Sequence, residues 1–126
     1  MLISHQHEQD SVVYSGTHDN NTTLGWYQSL SQEGKQQVND YFSCHEGDMP
    51  WPMIRAALAS VAQTAIVPMQ DILALDSSAR MNVPGEPKGN WLWRFNWQQV
   101  SDDLSEKLLR MNQLYGRCEG LSVRSK

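Results

Sequence analysis

The densest group of reactive side chains in this 126-residue sequence is Thr17-His18-Asp19-Asn20-Asn21, which directly follows a β-branched and aromatic run, Ser11-Val12-Val13-Tyr14-Ser15, and Gly16. A carboxylate at Asp19 could orient sugar hydroxyls or stabilise developing positive charge, and the imidazole of His18 could donate a hydrogen bond. The competing reading is local: Asp19 or Asn20 caps the next helix and His18 fills a turn. A second carboxylate, Asp71, stands beside Gln70 after the run Thr64-Ala65-Ile66-Val67-Pro68. Two strand-end acids are the minimum for glycosidase-type chemistry, in which one protonates a leaving oxygen and the other attacks or activates water. Asp71-Ile72-Leu73, however, reads as the opening of a helical turn, which favours a structural role for that acid.

Other candidates are weaker. His5 and His7 alternate as ligands on a strand would, with His18 as a possible third, but a metal site needs three or four convergent ligands and these residues sit in a polar terminal segment. His45, between Cys44 and Glu46, offers no better set. Five Trp could stack on sugar rings, although tryptophans more often serve as core residues with one polar edge. Gly85 and Gly89 bend a loop without forming a phosphate cradle, since neither Gly-x-Gly-x-x-Gly nor Gly-Lys-Ser/Thr is present.

The elements that position these groups follow from punctuation and periodicity. The spacing predicts a strand over 11–15 ending at Gly16. Thr22 or Thr23 caps a helix carrying Leu24, Trp26, Tyr27 and Leu30, in which Gly25 is a weak point. Residues 31–42 form a second helix with Val38, Tyr41 and Phe42 as apolar positions. After the break Gly47-Asp48-Met49-Pro50-Trp51-Pro52, the pattern Ile54, Leu58, Val61 marks a buried helix over 53–62. Residues 64–67 form a strand ended by Pro68, and residues 70–75 and 76–80 form single helical turns. A loop over 81–90 precedes Trp91-Leu92-Trp93-Arg94-Phe95. Ser101 caps a last helix with Asp102 and Asp103 at its positive end and Leu104, Leu108, Met111 and Tyr115 along one face. Residues 120–126 are expected to fray. Two strands separated by helices imply a parallel pair, and such a sheet needs both faces covered and further strands. The missing strands lie outside these residues, or the chain associates with something.

Composition narrows the function classes. Fourteen Asp and Glu against ten Lys and Arg give a net charge of −4, which argues against a phosphate-neutralising, nucleic-acid-binding protein. Residues 1–54 carry one base, Lys35, against seven acids, and residues 55–126 carry nine bases against seven acids. Neither half has a block of like charge, which reads as ordinary surface. No apolar run approaches the ~20 residues of a membrane span, and residues 1–10 lack the basic start and apolar stretch of a signal peptide. Cys44 and Cys118 lack metal-site spacing, so a reducing, cytoplasmic setting is expected. The length also falls short of the roughly 200–250 residues of a complete (β/α)₈ barrel.

Three blocks resemble 4-α-glucanotransferases (amylomaltase, disproportionating enzyme; glycoside hydrolase family 77). Val12-Val13-Tyr14-Ser15-Gly16-Thr17-His18-Asp19-Asn20-Asn21-Thr22-Thr23-Leu24-Gly25-Trp26 is similar to the family's seventh-strand motif. Residues 67–75 resemble the eighth strand and its loop. Residues 76–85 with Gly89-Asn90-Trp91-Leu92-Trp93-Arg94 resemble the closing signature. Ser15 and Asn21 stand where Thr and Asp are commoner.

The resemblance implies an α/β fold: the C-terminal portion, about strands seven and eight with their helices, of an α-amylase-like (β/α)₈ TIM barrel, so that residues 1–126 form one partial, helix-rich domain. It implies a retaining transfer of an α-1,4-glucan segment to the 4-hydroxyl of an acceptor, on maltooligosaccharides, with no metal and no cofactor. Three carboxylates serve that chemistry. Asp19 takes the place of the transition-state stabiliser, His18 hydrogen-bonds the sugar in the −1 subsite, Asn82 of Arg80-Met81-Asn82 contacts substrate across the cleft, and Asn20 joins the binding surface. Asp71 matches no catalytic position. The nucleophile and acid/base belong to strands four and five, so these residues alone are expected to be inactive. The alternative is a non-catalytic remnant that binds glucan or self-associates through its uncovered sheet edges. Hydrolysis by a related α-glucan enzyme is a third reading.

Overall fold

The computed structural model describes residues 11–17 and 19–118. The element order is β1 (Val12–Tyr14), α1 (Thr23–Gln28), α2 (Gln32–Phe42), α3 (Trp51–Ala59), β2 (Thr64–Ile66), α4 (Met69–Ile72) and α5 (Asp102–Leu114), with 3₁₀ turns at Glu46–Asp48, Ser77–Ala79 and Trp97–Gln99. The two strands pair in parallel, with Val12 opposite Thr64, Val13 opposite Ala65 and Tyr14 opposite Ile66. The pair expected from the strand–helices–strand order is therefore present. One further ladder bond, from the Ser15 amide to the Ile66 carbonyl at 3.2 Å, carries the pairing to the edge where the polar motif begins.

Alternation along the strands divides the sheet into a covered and an open face. Val13 is buried and packs with Ala57 and Ala62, with Ala65 against them. On the other face Val12, Tyr14 and Ile66 are 43%, 48% and 44% exposed. A parallel sheet is ordinarily covered on both sides, so this face is unfinished within the described residues.

Helix α3 is the central support. Its residues enter three apolar clusters: Ala57 under β1, Met53 with Tyr27 and Met49, and Ile54 and Leu58 with Met111 of α5. The helix has no side-chain cap bond at its N-terminus, where Pro50 stands and Pro52 occupies the first turn. Burial of an Ile or Leu contributes roughly 1.5–3 kcal/mol against the ~1 kcal/mol of a cap, so packing rather than capping holds α3.

The structure moves several boundaries. Helix α3 runs Trp51–Ala59, not 53–62: the backbone turns extended at Ser60, and Val61, expected on the buried stripe, lies beyond the helix and is 59% exposed. In α2, capped by Ser31 Oγ, Val38 and Phe42 pack inward, whereas Tyr41 faces solvent with its ring edge-on to Phe42. Ser101 stands at the N-cap of α5 but its side chain makes no cap bond, which leaves Asp102 and Asp103 as the favourable groups at that end. Thr22 caps α1 as expected, its hydroxyl oxygen accepting the Gly25 amide at 3.1 Å. His5, His7, His18 and residues 120–126 lie outside the described residues.

Candidate active site

The polar motif leaves β1 at Ser15 and crosses the carboxyl edge of the sheet, where α/β folds gather reactive groups. What fixes it there is Asp71. This carboxylate is 1% exposed and meets three donors: Ser15 Oγ at 2.6 Å, the Thr23 amide at 2.9 Å and Thr23 Oγ1 at 2.6 Å. Ser15 ends the first strand, Thr23 opens α1, and Asp71 belongs to α4 just after the second strand. One buried acid thus ties both strand ends to the helix that follows the motif. A buried charge is tolerable only with such satisfaction, and a carboxylate already accepting three hydrogen bonds inside the fold is unsuited to attack or protonate a substrate. The structural reading of Asp71 holds.

The second strap comes from the 3₁₀ turn Ser77–Ala79. Asp76 caps it, accepting from the Ser78 amide at 3.0 Å and Ser78 Oγ at 2.7 Å, and these bonds hold the Asp76 carboxyl below its ordinary pKa. Gln70 Nε2 donates to the Ala79 carbonyl at 3.3 Å, and Asn21 Nδ2 donates to Ser77 Oγ at 2.9 Å. Gly25 lets α1 approach the turn closely: a Cβ there would lie 2.5 Å from Ser77 Oγ and 2.8 Å from its amide nitrogen. The glycine that weakens α1 as a helix is what lets it dock.

On this frame Asp19 and Asn82 meet. Asn82 Nδ2 donates to Asp19 Oδ1 at 2.7 Å, joining residues 63 apart in sequence, and one Arg80 nitrogen, Nη2, donates to the carbonyls of Asp19 and Asn82, each at 3.2 Å. Asp19 and Asn20 are exposed. A cleft of about 170 Å³ opens beside them, lined among others by Thr17, Asn20, Arg80, Met81 and Trp91. Trp91 holds a left-handed backbone (φ 64°) with its amide bonded to the Met81 carbonyl, the kind of strained position found at functional clefts. Arg80 and Asn20 belong to the lining of this cleft, and through them it adjoins the exposed Asp19 carboxylate held by the Asn82 amide.

Of the five tryptophans, Trp26 and Trp51 pack against the core clusters, while Trp91 and Trp97 are 59% and 78% exposed. In the Cys44-His45-Glu46 segment, burial and the neighbouring Asp48 raise the Cys44 thiol above its usual pKa. Among the described residues no three His, Cys, Asp or Glu gather as metal ligands, and no helix is long and apolar enough to cross a membrane. Asn21 belongs to the polar cluster singled out in the sequence, but its bond to Ser77 was not foreseen. Arg80 and Ser77 are site residues to which sequence reasoning gave no role, hinted at only by the Arg80-Met81-Asn82 and Asp76–Arg80 runs.

Comparison with known proteins gives one consistent result. A family model described as 4-alpha-glucanotransferase matches residues 1–100. The chloroplastic/amyloplastic 4-alpha-glucanotransferase of Oryza sativa subsp. japonica is 50% identical over 115 residues, covering 90% of this chain and 19% of the relative. The 4-alpha-glucanotransferase of Synechocystis sp. is 50% identical over 110 residues, covering 86% and 22%. Among solved structures, an amylomaltase from Streptococcus agalactiae in complex with acarbose superposes with a TM-score of 0.84 at 32% identity, over 91% of this chain and 23% of that one. The chain spans about a fifth of the length of these relatives.

Proposed function

This chain belongs to the 4-alpha-glucanotransferase family, and from that premise we propose that its residues form one wall of the active site of a retaining enzyme that transfers a segment of an α-1,4-glucan to the 4-hydroxyl of an acceptor glucan or glucose. In this reading β1 and β2 are the seventh and eighth strands of the family's barrel. A glycosyl unit is held covalently on an aspartate supplied by another part of the whole enzyme, and the acceptor hydroxyl takes the place of water in releasing it. Asp19 is the carboxylate that stabilises the oxocarbenium-like transition state, His18 hydrogen-bonds the sugar at the cleavage point, and Asn82 and Asn20 bind substrate hydroxyls. Interactions that strengthen as the ring flattens raise turnover rather than mere affinity.

The observation that carries this reading is the 2.7 Å bond between Asn82 Nδ2 and Asp19 Oδ1 at the carboxyl edge of two parallel strands. It holds one oxygen of an exposed carboxylate in a fixed place at that edge. The substrate class is maltooligosaccharide. The setting is cytoplasmic, where the free thiols of Cys44 and Cys118 stay reduced.

These 126 residues by themselves hold neither the covalent nucleophile nor the acid/base, so the isolated chain is expected to be inactive on maltotriose; measurable disproportionation would refute that. In a full-length chimera carrying this chain in place of the matching segment of the Synechocystis relative, Asp19→Asn is expected to lower kcat by about 10²–10³-fold, the scale of a lost transition-state contact. Near-normal turnover would sink the role of Asp19.

A second reading is favoured by the open sheet face of Val12, Tyr14 and Ile66. A non-catalytic remnant would cover that face by self-association or bind glucan without turning it over. Sedimentation of the purified chain, and its tryptophan fluorescence during maltooligosaccharide titration, separate the two readings.

A further inference from the structure

The structure assigns Arg80 as a positioning residue that holds the Asp19–Asn82 pair in register, an inference that rests on the reading of Asp19 given above. Arg80 touches neither partner's reactive atoms. Its Nη2 bridges the two backbone carbonyls, Asp19 O and Asn82 O, both at 3.2 Å, while the side chains of the same two residues meet at 2.7 Å. The three groups form a closed figure: one cation spans the two main chains and one amide–carboxylate bond spans the two side chains. With Asp19 and Asn82 exposed or half-exposed on separate loops, the side-chain bond alone would compete with water. The guanidinium limits that freedom by tying both backbones to the single nitrogen Nη2, which the rigid plane of the group holds in place.

Two further observations separate this role from general stabilisation. Arg80 Nε is buried without a hydrogen-bond partner among the described residues, so its placement is not the one that best satisfies its own donors. The residue also stands at the C-terminal end of the 3₁₀ turn Ser77–Ala79, which is itself tied to Asn21 through Ser77 and to Gln70 through Ala79. The anchor is thus held by bonds that do not involve the cation, as a positioning device requires.

The test uses the full-length chimera and the disproportionation of maltotriose. Misplacement of a catalytic group by about 1 Å lowers rate by up to ~10²-fold, so Arg80→Ala is expected to reduce kcat about 10–100-fold with KM within about twofold. Arg80→Lys should recover part of the loss, and added methylguanidinium should restore activity to Arg80→Ala but not to Asp19→Asn. A rise in KM at unchanged kcat, or no response to methylguanidinium, overturns the assignment. An inactive unsubstituted chimera would refute the proposed function itself. Arg80 is then decided on the 126-residue chain, where Arg80→Ala must shift the Asn82 side-chain amide resonances in NMR spectra, and unmoved resonances overturn the assignment.

Discussion

Thr23 gives Asp71 both of its hydrogens, the amide to Oδ1 at 2.9 Å and the hydroxyl to Oδ2 at 2.6 Å, although the two residues are 48 apart in sequence. With Ser15 Oγ as the third donor, the carboxylate fastens the start of α1 to the end of the sheet. Removing it strands the buried Thr23 amide and the Ser15 hydroxyl and leaves the Thr23 hydroxyl only its longer contact with the Ser15 carbonyl at 3.3 Å, so Asp71→Ala is expected to cost about 3–5 kcal/mol. Asp71→Asn keeps the shape and an acceptor for the amide but loses the charge that strengthens all three bonds, an expected cost of about 1–3 kcal/mol. Urea denaturation followed by far-UV circular dichroism measures both. A midpoint unchanged in Asp71→Ala would show that the hub does not hold the motif.

Gly25 sets helix propensity against packing, and the distances decide between them. Alanine would favour α1 by about 1 kcal/mol, but forcing a methyl into a packed contact costs about 1–3 kcal/mol. The added Cβ would meet Asn21 Oδ1 and Ser77 Oγ at 2.5 Å and the Ser77 backbone nitrogen at 2.8 Å, and a backbone atom cannot swing aside. Gly25→Ala is therefore expected to destabilise by about 1–2 kcal/mol net. Gly34→Ala in α2 is the control: its nearest neighbour would be Leu30 Cβ at 3.3 Å, and the expected change is between zero and a gain of about 1 kcal/mol. Thermal melts of the two variants check the contrast, and equal shifts would refute it.

These cases show what the sequence made legible. The run Val12–Tyr14 before Gly16 and the apolar run before Pro68 are local signals, and the two strands they predict pair as expected. Asp71 was readable as structural because a helical turn visibly starts on it. Its partners were not, because Ser15 and Thr23 lie 56 and 48 residues away. Arg80 was hidden for the same reason, its carbonyl partner Asp19 being 61 residues distant. Gly25 and Val61 misled for opposite reasons: one looked like a helix defect and is a docking point, the other fitted a helical stripe and lies past the helix end. Periodicity reports which face a residue would occupy, not where the chain leaves the helix.

Arg117 binds the backbone at that exit. Its guanidinium donates to four carbonyls around the end of α3: Leu58 at 2.7 Å, Ala62 at 2.8 Å, Ser60 at 3.2 Å and Gln63 at 3.3 Å. The last carbonyls of a helix lack partners inside it, and here a residue just beyond α5 supplies them. Because the guanidinium is only partly buried, Arg117→Ala is expected to cost about 2–3 kcal/mol rather than the sum of four charged bonds. Arg117→Lys should recover less than half, since an ammonium cannot span four separated acceptors. Denaturation midpoints measure the loss, and faster amide exchange confined to residues 58–64 would locate it. Full rescue by lysine would show that charge, not the fork, is what matters.

The last prediction concerns acid. Asp76 accepts from both the hydroxyl and the amide of Ser78, and these bonds lower its pKa below the ordinary carboxylate value. A folded-state value below the unfolded one means that the bonds favour the ionised, folded form. Their contribution is complete above the ordinary value of about 3.9 and is lost as pH falls through the lower, folded value. The Ser78 amide resonance should therefore titrate with a midpoint below the ordinary carboxylate range. In Asp76→Asn, whose side-chain oxygen still accepts but does not ionise, that titration should vanish while the turn persists. The turn carries Ser77 and leads into Arg80, and the bonds Asp76 gives it are complete across the whole neutral range. A Ser78 midpoint at or above the ordinary value would remove Asp76 from this role.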